Sequence, residues 1–557
     1  MIKTCLRFSK QGISYPAKLL LTWLILIVPL IDTKIIPGHD YIFHVTRILD
    51  VAEAMKAGIF PVRMYVDEIQ FWGTPVGIFY PGLFVYIPAL LKVAGFPIEV
   101  CYNIFIALIF FFGIFSSWYG FSILTRSQKT GFYSAILYIS SGWYLIDAYI
   151  RNALGELAGL SFMPLAIACI IKYITKPQIQ VKYYLLGILS ISAIFQSHLL
   201  SSVFLVIFCL SCFVILYRNV SLRIIKRFVS FSIILFLINA SFLVPFFSYY
   251  FSVPLSIDFV ETFSQKGWSI NLLLYILLLY NFWIFIILSF FLLKSFYVFK
   301  EVCFLNHKSL VTNTLLYYNK FFLTGIFFTC LTLKVIPWDN LFLLKNIFEI
   351  IQFPWRFFGI ATLFICVCGG YGMRLLIKKV KLKKFSVVSL IVLVCATNII
   401  VVTYINPVQF QRMTQRIYWQ RELSSTDDDY LYKGMDTKTL FSINNQYITD
   451  IEISNWRKEL TSISFSYSCQ KNSKIILPLV NYPGYIATDQ NGKDVRIGEN
   501  NNHMMVLYLP KGSGSVNVSY KGLFLFKISD IISLVSVLFF LFYSLNIYKR
   551  KEWNKVI

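Results

Sequence analysis

Asp40, His44 and Arg47 stand at positions i, i+4 and i+7 in the stretch Pro37-Gly38-His39-Asp40-Tyr41-Ile42-Phe43-His44-Val45-Thr46-Arg47. Pro37-Gly38 stops whatever precedes it, and 40–57 reads as an amphipathic helix ending at Gly58. On such a helix a carboxylate, an imidazole and a guanidinium share one face. That set could take a proton from a hydroxyl and hold a phosphate. A plainer reading stays open beside it: Asp40 caps the helix, and His44 and Arg47 lie in the headgroup zone.

Other polar residues stand in similar places. Asp147-Ala148-Tyr149-Ile150-Arg151-Asn152 leads to Glu156, His198 sits at a turn between two apolar runs, and Gln352-Phe353-Pro354-Trp355-Arg356 precedes a third. Each has an ordinary alternative. Trp355 and Arg356 suit an interfacial belt, Arg151 with Glu156 suits a structural ion pair, and His198 suits a satisfied buried histidine. Ionisable groups at membrane depth are nevertheless costly and point to function.

The elements that must position these residues are set by composition. Of 557 residues 57% are hydrophobic, 18% aromatic and only 14% charged, with a mean hydropathy of +0.67. A soluble chain carries a charged shell of about a quarter of its residues. Without that shell the surrounding medium is apolar, and long apolar runs there must be helices. Runs long enough to span fall near 15–36, 99–124, 131–148, 156–175, 183–198, 199–217, 228–249, 271–294, 320–337, 357–377, 385–404 and 525–547. The expectation is therefore an all-α polytopic membrane protein of about twelve transmembrane helices. The first run follows Lys3, Arg7 and Lys10 but lacks a cleavage site, so it reads as an uncleaved helix.

Charge fixes the expected orientation. The net charge of +24 does not imply nucleic acid, because the basic residues sit in short loops between apolar runs. With the N-terminus in the cytoplasm, clusters such as Arg218/Arg223/Lys226/Arg227 and Lys378/Lys379/Lys381/Lys383/Lys384 fall inside, as does the tail at 549–555. Counting the apolar run 78–94 as a span would invert everything after it. That run is broken by Pro81, Gly82 and Pro88, and it reads as a juxtamembrane helix within a large first outer loop, 37–98. Asp40, Arg151, Glu156, His198 and Arg356 then share the outer face. Of the eleven cysteines only Cys469 lies in a polar region, so neither a disulfide framework nor a zinc site is expected.

The segment 405–524 changes character. Ser462–Ser468 and Ser515–Tyr520 alternate with period two, while Lys474–Leu479 and Met504–Leu509 are short apolar runs. Turn signals separate them at Tyr482-Pro483-Gly484, Gln490-Asn491-Gly492-Lys493 and Pro510-Lys511-Gly512. This predicts a small extracytoplasmic β-sandwich between a transmembrane domain over 1–404 and a final helix with a basic tail over 525–557.

The motifs resemble a known family. Gly38-His39-Asp40 with His44 and Arg47, then Phe60-Pro61-Val62-Arg63, then Phe79-Tyr80-Pro81, look like the start of bacterial membrane proteins labelled "6-pyruvoyl-tetrahydropterin synthase related". These are relatives of GT-C superfamily glycosyltransferases. Arg151-Asn152-Ala153-Leu154-Gly155-Glu156, Gln352-Phe353-Pro354-Trp355-Arg356 and the region from Asn481 to Tyr520 are similar to that pattern too. The resemblance covers almost the whole chain through short motifs.

What the resemblance implies is a GT-C-like membrane enzyme of the bacterial cytoplasmic membrane, with both termini cytoplasmic. It would move a sugar from a polyprenyl-phosphate carrier to an extracytoplasmic glycan or lipid acceptor in the envelope. Asp40 would be base or metal ligand, Glu156, with Asp147 as the alternative, the second acid, and His44 a further catalytic group. His39, Tyr80, His198 and Trp355 would line the substrate, and Arg47, Arg63, Arg151 and Arg356 would neutralise the lipid phosphate. An adjacent acidic pair is missing, since only His39-Asp40 stands there. The pattern therefore admits a divalent cation (Mg or Mn) on Asp40 and Glu156 without requiring one. Two other classes compete: a flippase or transporter of lipid-linked saccharide, which would want charges at mid-bilayer and internal symmetry, and a non-catalytic envelope scaffold. Few mid-bilayer charges and no repeat are visible in the sequence.

Overall fold

The computed structural model describes residues 14–31, 38–66, 72–175, 180–215, 221–255, 266–274, 287–288, 291–292, 310–336, 338–340, 351–380, 384–402, 430–436 and 446–550. Its larger part is a bundle of apolar helices. Four among the described residues are long and apolar enough to cross a membrane: Ile98–Thr125, Leu154–Thr175, Pro354–Val380 and Phe524–Lys549. Leu222–Ile238 and Ala240–Ser252 make a fifth span if counted together, although they bend by 85°. Shorter apolar helices stand at Tyr15–Leu26, Val181–Phe195, Leu199–Leu210 and Val387–Ile400.

Twelve full spans are not shown among the described residues, for physical reasons. The run at 131–148 divides because Ser140 and Ser141 turn their hydroxyls onto helix carbonyls, Ser141 Oγ donating to Tyr138 O at 2.6 Å. Ser141 Oγ also accepts from Tyr144 N (3.4 Å) and starts a new short helix, Gly142–Ile146. The run at 228–249 breaks at Asn239, whose Nδ2 donates to Leu235 O at 2.8 Å and to Ser192 Oγ at 3.0 Å. Most of the run at 271–294 lies outside the described residues. The run at 78–94 does form two short helical pieces, Val76–Phe79 and Leu83–Val93, rather than a span.

Residues 446–520 form eight strands in two four-stranded antiparallel sheets, ordered β1-β4-β7-β6 and β2-β3-β8-β5. The strands are β1 Ile448–Thr449, β2 Glu452–Glu459, β3 Ser462–Cys469, β4 Ser473–Val480, β5 Tyr485–Asp489, β6 Ile497–Glu499, β7 Met504–Leu509 and β8 Gly512–Tyr520. Ile463, Phe465, Leu477, Leu507 and Val518 fill the space between the sheets.

That core does not close on itself. It takes in Met64, Trp72, Ile78 and Phe79 from the first loop, Tyr249 from the bent helix and Phe526 from the last helix. Hydrogen bonds reinforce the join: Val480 N donates to Trp72 O at 3.2 Å, and the Tyr249 hydroxyl meets Pro483 O and the Tyr520 hydroxyl. The loop segment 72–80 is thus anchored on the sandwich at one end, and at Tyr80 it enters the helix bundle.

Candidate functional site

The helix Tyr41–Lys56 begins one residue after Asp40. Asp40 occupies the N-cap position, yet its side chain makes no capping bond. Its backbone is instead stitched to the segment beyond the Gly142–Ile146 helix. Asp40 N donates to Arg151 O at 2.8 Å, and His39 N donates to Ile150 O at 3.2 Å. Gly38 makes this possible, because a Cβ there would strike the Ile150 carbonyl and the Asn152 side chain.

Asp147–Arg151 itself is a single turn of π-helix, a form often found at functional sites. It ends at Asn152, whose left-handed backbone (φ 55°) is steadied by Nδ2 donating to Ala148 O at 2.7 Å. The turn swings Arg151 back so that one nitrogen, Nη1, serves two acids. It donates to Asp147 Oδ1, and to Glu156 Oε2 at 3.0 Å. The guanidinium lies over the Trp355 ring at 4.7 Å and the Trp143 ring at 5.8 Å. From the other side Arg356 Nε approaches Glu156 Oε2 to 4.0 Å, and its Nη1 donates to Ile351 O at 3.3 Å. Arg356 Nε has no hydrogen-bond partner among the described residues, although the side chain is nine-tenths buried.

Asp40 faces this group. Burial raises its carboxyl above the usual aspartate value; Arg151 opposes that rise, Glu156 adds to it, and Arg356 and His39 oppose it. A base held in this way binds its proton more readily than a solvated aspartate.

Tyr80 separates a second group from the first. Its hydroxyl packs on Gly155, where any Cβ would collide with it. Its ring takes the Arg47 guanidinium at 4.2 Å and meets the His44 ring at 5.9 Å and the His198 ring at 6.0 Å. Arg47 Nη2 donates to Pro81 O at 2.7 Å, and its Nη1 meets His44 Nδ1 at 3.5 Å. Since arginine only donates, His44 Nδ1 accepts and the proton of the neutral ring sits on Nε2. Burial, then Arg47, then His198 hold His44 well below its usual value, so it stays neutral. His198 Nδ1 accepts from Ser201 N at 3.3 Å and pairs with Ser201 Oγ at 2.9 Å, which leaves its proton on Nε2 as well. The crevice beside His44 and Arg47, closed by Phe84, Phe105 and Ser197, has a volume of about 10 Å³, room for one water.

The structure therefore gathers Asp40, Arg151, Glu156, Trp355 and Arg356, with Tyr80 and His198 alongside. The helical spacing of Asp40, His44 and Arg47 does not make one constellation. His44 and Arg47 meet behind Tyr80, whereas the groups facing Asp40 come from 147–156 and from Arg356. Arg63 lies apart: its Nη2 bonds Asp530 Oδ1 of the last helix at 2.7 Å, and it covers the Phe526 ring at 5.3 Å. Asp147 is visible in the sequence as an acid of the stretch 147–156, whereas Asp50 and Asp530 escape such a reading. Asp147 holds Arg151, Asp50 accepts from Val66 N at 3.1 Å, and Asp530 holds Arg63. The only signal for Asp530 is an acid inside an apolar run.

Glu156 is engaged by guanidinium groups, Asp40 faces them, and no three His, Cys, Asp or Glu side chains gather as a metal set among the described residues.

No protein-family model and no curated protein matches the chain. Among solved structures it is similar to ArnT from Cupriavidus metallidurans bound to undecaprenyl phosphate, at 12% identity and a TM-score of 0.35, over 65% of this chain and 59% of that one. It is also similar to the arabinofuranosyltransferase AftD from mycobacteria, seen by single-particle cryo-EM, at 12% identity and a TM-score of 0.43, over 71% of this chain and 27% of that one. The chain thus spans less than two thirds of the length of either.

Proposed function

We propose that the protein is a membrane glycosyltransferase that moves a sugar from a polyprenyl-phosphate carrier to an acceptor hydroxyl on the extracytoplasmic side. One observation carries this reading: a partly buried carboxyl group, Asp40, makes no capping bond and lies within the influence of Arg356, whose Nε stands 4.0 Å from Glu156 Oε2 and has no hydrogen-bond partner among the described residues. A base and an anion site set together in a low-dielectric pocket suit displacement of a phosphate by a hydroxyl.

In that reaction Asp40 takes the acceptor hydroxyl proton. The hydroxyl oxygen forms a bond to the anomeric carbon, whose bond to the phosphate oxygen breaks. The electron pair leaves on the phosphate, and Arg356 stabilises the charge. The other candidate arginines are held by shorter contacts than Arg356, which donates to Ile351 O at 3.3 Å and stands 4.0 Å from Glu156 Oε2. Arg63 is paired with Asp530, Arg151 serves Asp147 and Glu156, and Arg47 is bonded to the Pro81 carbonyl. Tyr80 and Trp355 supply walls for the sugar ring and the carrier phosphate.

The test uses full-length protein in liposomes with undecaprenyl phosphate carrying radiolabelled hexoses or pentoses and an envelope extract as acceptor. Transfer is expected with wild type and a fall of about a thousandfold in Asp40→Asn, the scale of losing a general base. Wild-type transfer by Asp40→Asn would remove Asp40 from the mechanism. Movement of the carrier across the bilayer without sugar transfer would replace this reading with a flippase.

A further inference from the structure

Asp147 is a costly residue to keep. Its side chain is wholly buried, and its Oδ2 finds no hydrogen-bond partner among the described residues. Oδ1 shares Arg151 Nη1 with Glu156 Oε2, so two carboxylates converge on one nitrogen. Burying a second carboxyl group beside Glu156 in a dry interior is costly. The groups that interact with Asp147 are Glu156, Arg151 and Arg356, together with Tyr144 and Tyr138. A single acid would leave Arg151 with charge to spare for an incoming anion. Two acceptors on one nitrogen instead fix the guanidinium in place.

We infer that Asp147 is a positioning residue that restrains Arg151, holding its guanidinium on the two acids and against Trp355 so that it does not clamp the carrier phosphate. This rests on the carrier reading above and deepens it. The phosphate gains negative charge when the sugar leaves, since a diester becomes a monoester. A site with two freely available arginines would then hold its product too firmly. With Arg151 restrained, Arg356 alone meets the phosphate, and the product is released.

The prediction has an unusual sign. A merely structural acid, when removed, loosens the site and weakens binding; a restraint, when removed, tightens it. Full-length protein in nanodiscs is titrated with undecaprenyl phosphate as wild type, Asp147→Asn, Arg151→Gln and the double variant. Asp147→Asn keeps the shape and an acceptor oxygen for Arg151, and it is expected to bind about tenfold more tightly than wild type, the worth of one charge-assisted hydrogen bond. In the Arg151→Gln background the same change should alter affinity less than about twofold, because the effect passes through Arg151. Asp147→Ser repeats the test should the Asn protein not accumulate. Unchanged or weaker binding overturns the inference, and so does a gain that persists without Arg151.

Thermal midpoints with inorganic phosphate separate this inference from the function it rests on. If wild type does not bind undecaprenyl phosphate, the carrier reading fails. The restraint then stands if phosphate raises the midpoint of Asp147→Asn more than that of wild type, through Arg151, and falls if it does not.

Discussion

At the residue scale the site depends on how much positive charge each acid receives. Glu156 has Arg151 within 3.0 Å and Arg356 within 4.0 Å, whereas Asp40 shares those charges from further off and is lifted by its burial. If Asp40 is the base, it must be ionised to act. The transfer rate should then fall as pH drops through a value above the ordinary aspartate value of about 3.9. Glu156 adds to the rise at Asp40. Glu156→Gln removes that neighbouring negative charge, so the acid limb should move to lower pH in whatever activity remains. A limb that stays in place, or moves up, would show that Asp40 is not the titrating group. Much of this set is legible in the sequence, because Asp40, Arg151, Glu156, His198 and Arg356 are polar exceptions in apolar surroundings. Their pairings are not. Arg63 and Asp530 are 467 positions apart, and nothing local marks either as the other's partner. The spacing of Asp40, His44 and Arg47 suggests one helix face, but the helix starts at Tyr41, and Asp40 is pulled onto Arg151 by a backbone bond that no periodicity encodes.

At the element scale the sequence reveals what is buried and hides what is at an edge. The four strands that alternate or run apolar in the sequence are β3, β4, β7 and β8, and these are the central strands of the two sheets. The four that pass unnoticed, β1, β2, β5 and β6, are the edges. An edge strand is paired on one side only and is kept short or polar, so it lacks the period-two signature; Glu452–Glu459 is the extreme case. Helices follow the same logic: apolar runs are visible, while breaks at Ser141 and Asn239 depend on where a side chain finds a carbonyl. One element contact bears directly on the site. The helix Leu154–Thr175 presents Gly155 to the Tyr80 hydroxyl and lies close to the Ser197 carbonyl. Gly155→Ala would gain helix propensity on an open surface, but here its methyl must displace Tyr80, against which Arg47, His44 and His198 are packed. Overpacking of this kind costs about 1–3 kcal/mol. The expected result is a thermal midpoint several degrees lower and transfer reduced more than tenfold. A variant with wild-type stability and transfer would mean that Tyr80 has room to move and does not order the site.

At the scale of the whole molecule, the first loop joins the sandwich core to the helix bundle. Trp72 is fully buried in the sandwich core, its carbonyl accepts from Val480 N, and eight residues later the same segment delivers Tyr80 to the site. The last helix closes the circuit, because Phe526 enters the sandwich core while Asp530 holds Arg63 from the loop. A domain hung on flexible tethers would have its own core and unfold by itself. Here the sandwich core takes in residues from four other parts of the chain, the first loop, 249–253, 431–432 and the last helix, so its stability and the placement of Tyr80 should be one property. Trp72→Ala tests this. Emptying the site of a buried tryptophan costs about 3–5 kcal/mol, and the loss should appear in both places: earlier proteolysis within 446–520, and weaker undecaprenyl-phosphate binding although Trp72 is not among the residues gathered at the site. If proteolysis of the sandwich rises while carrier binding stays at the wild-type value, the two parts are energetically separate, and the sandwich is a cover rather than a component of the site.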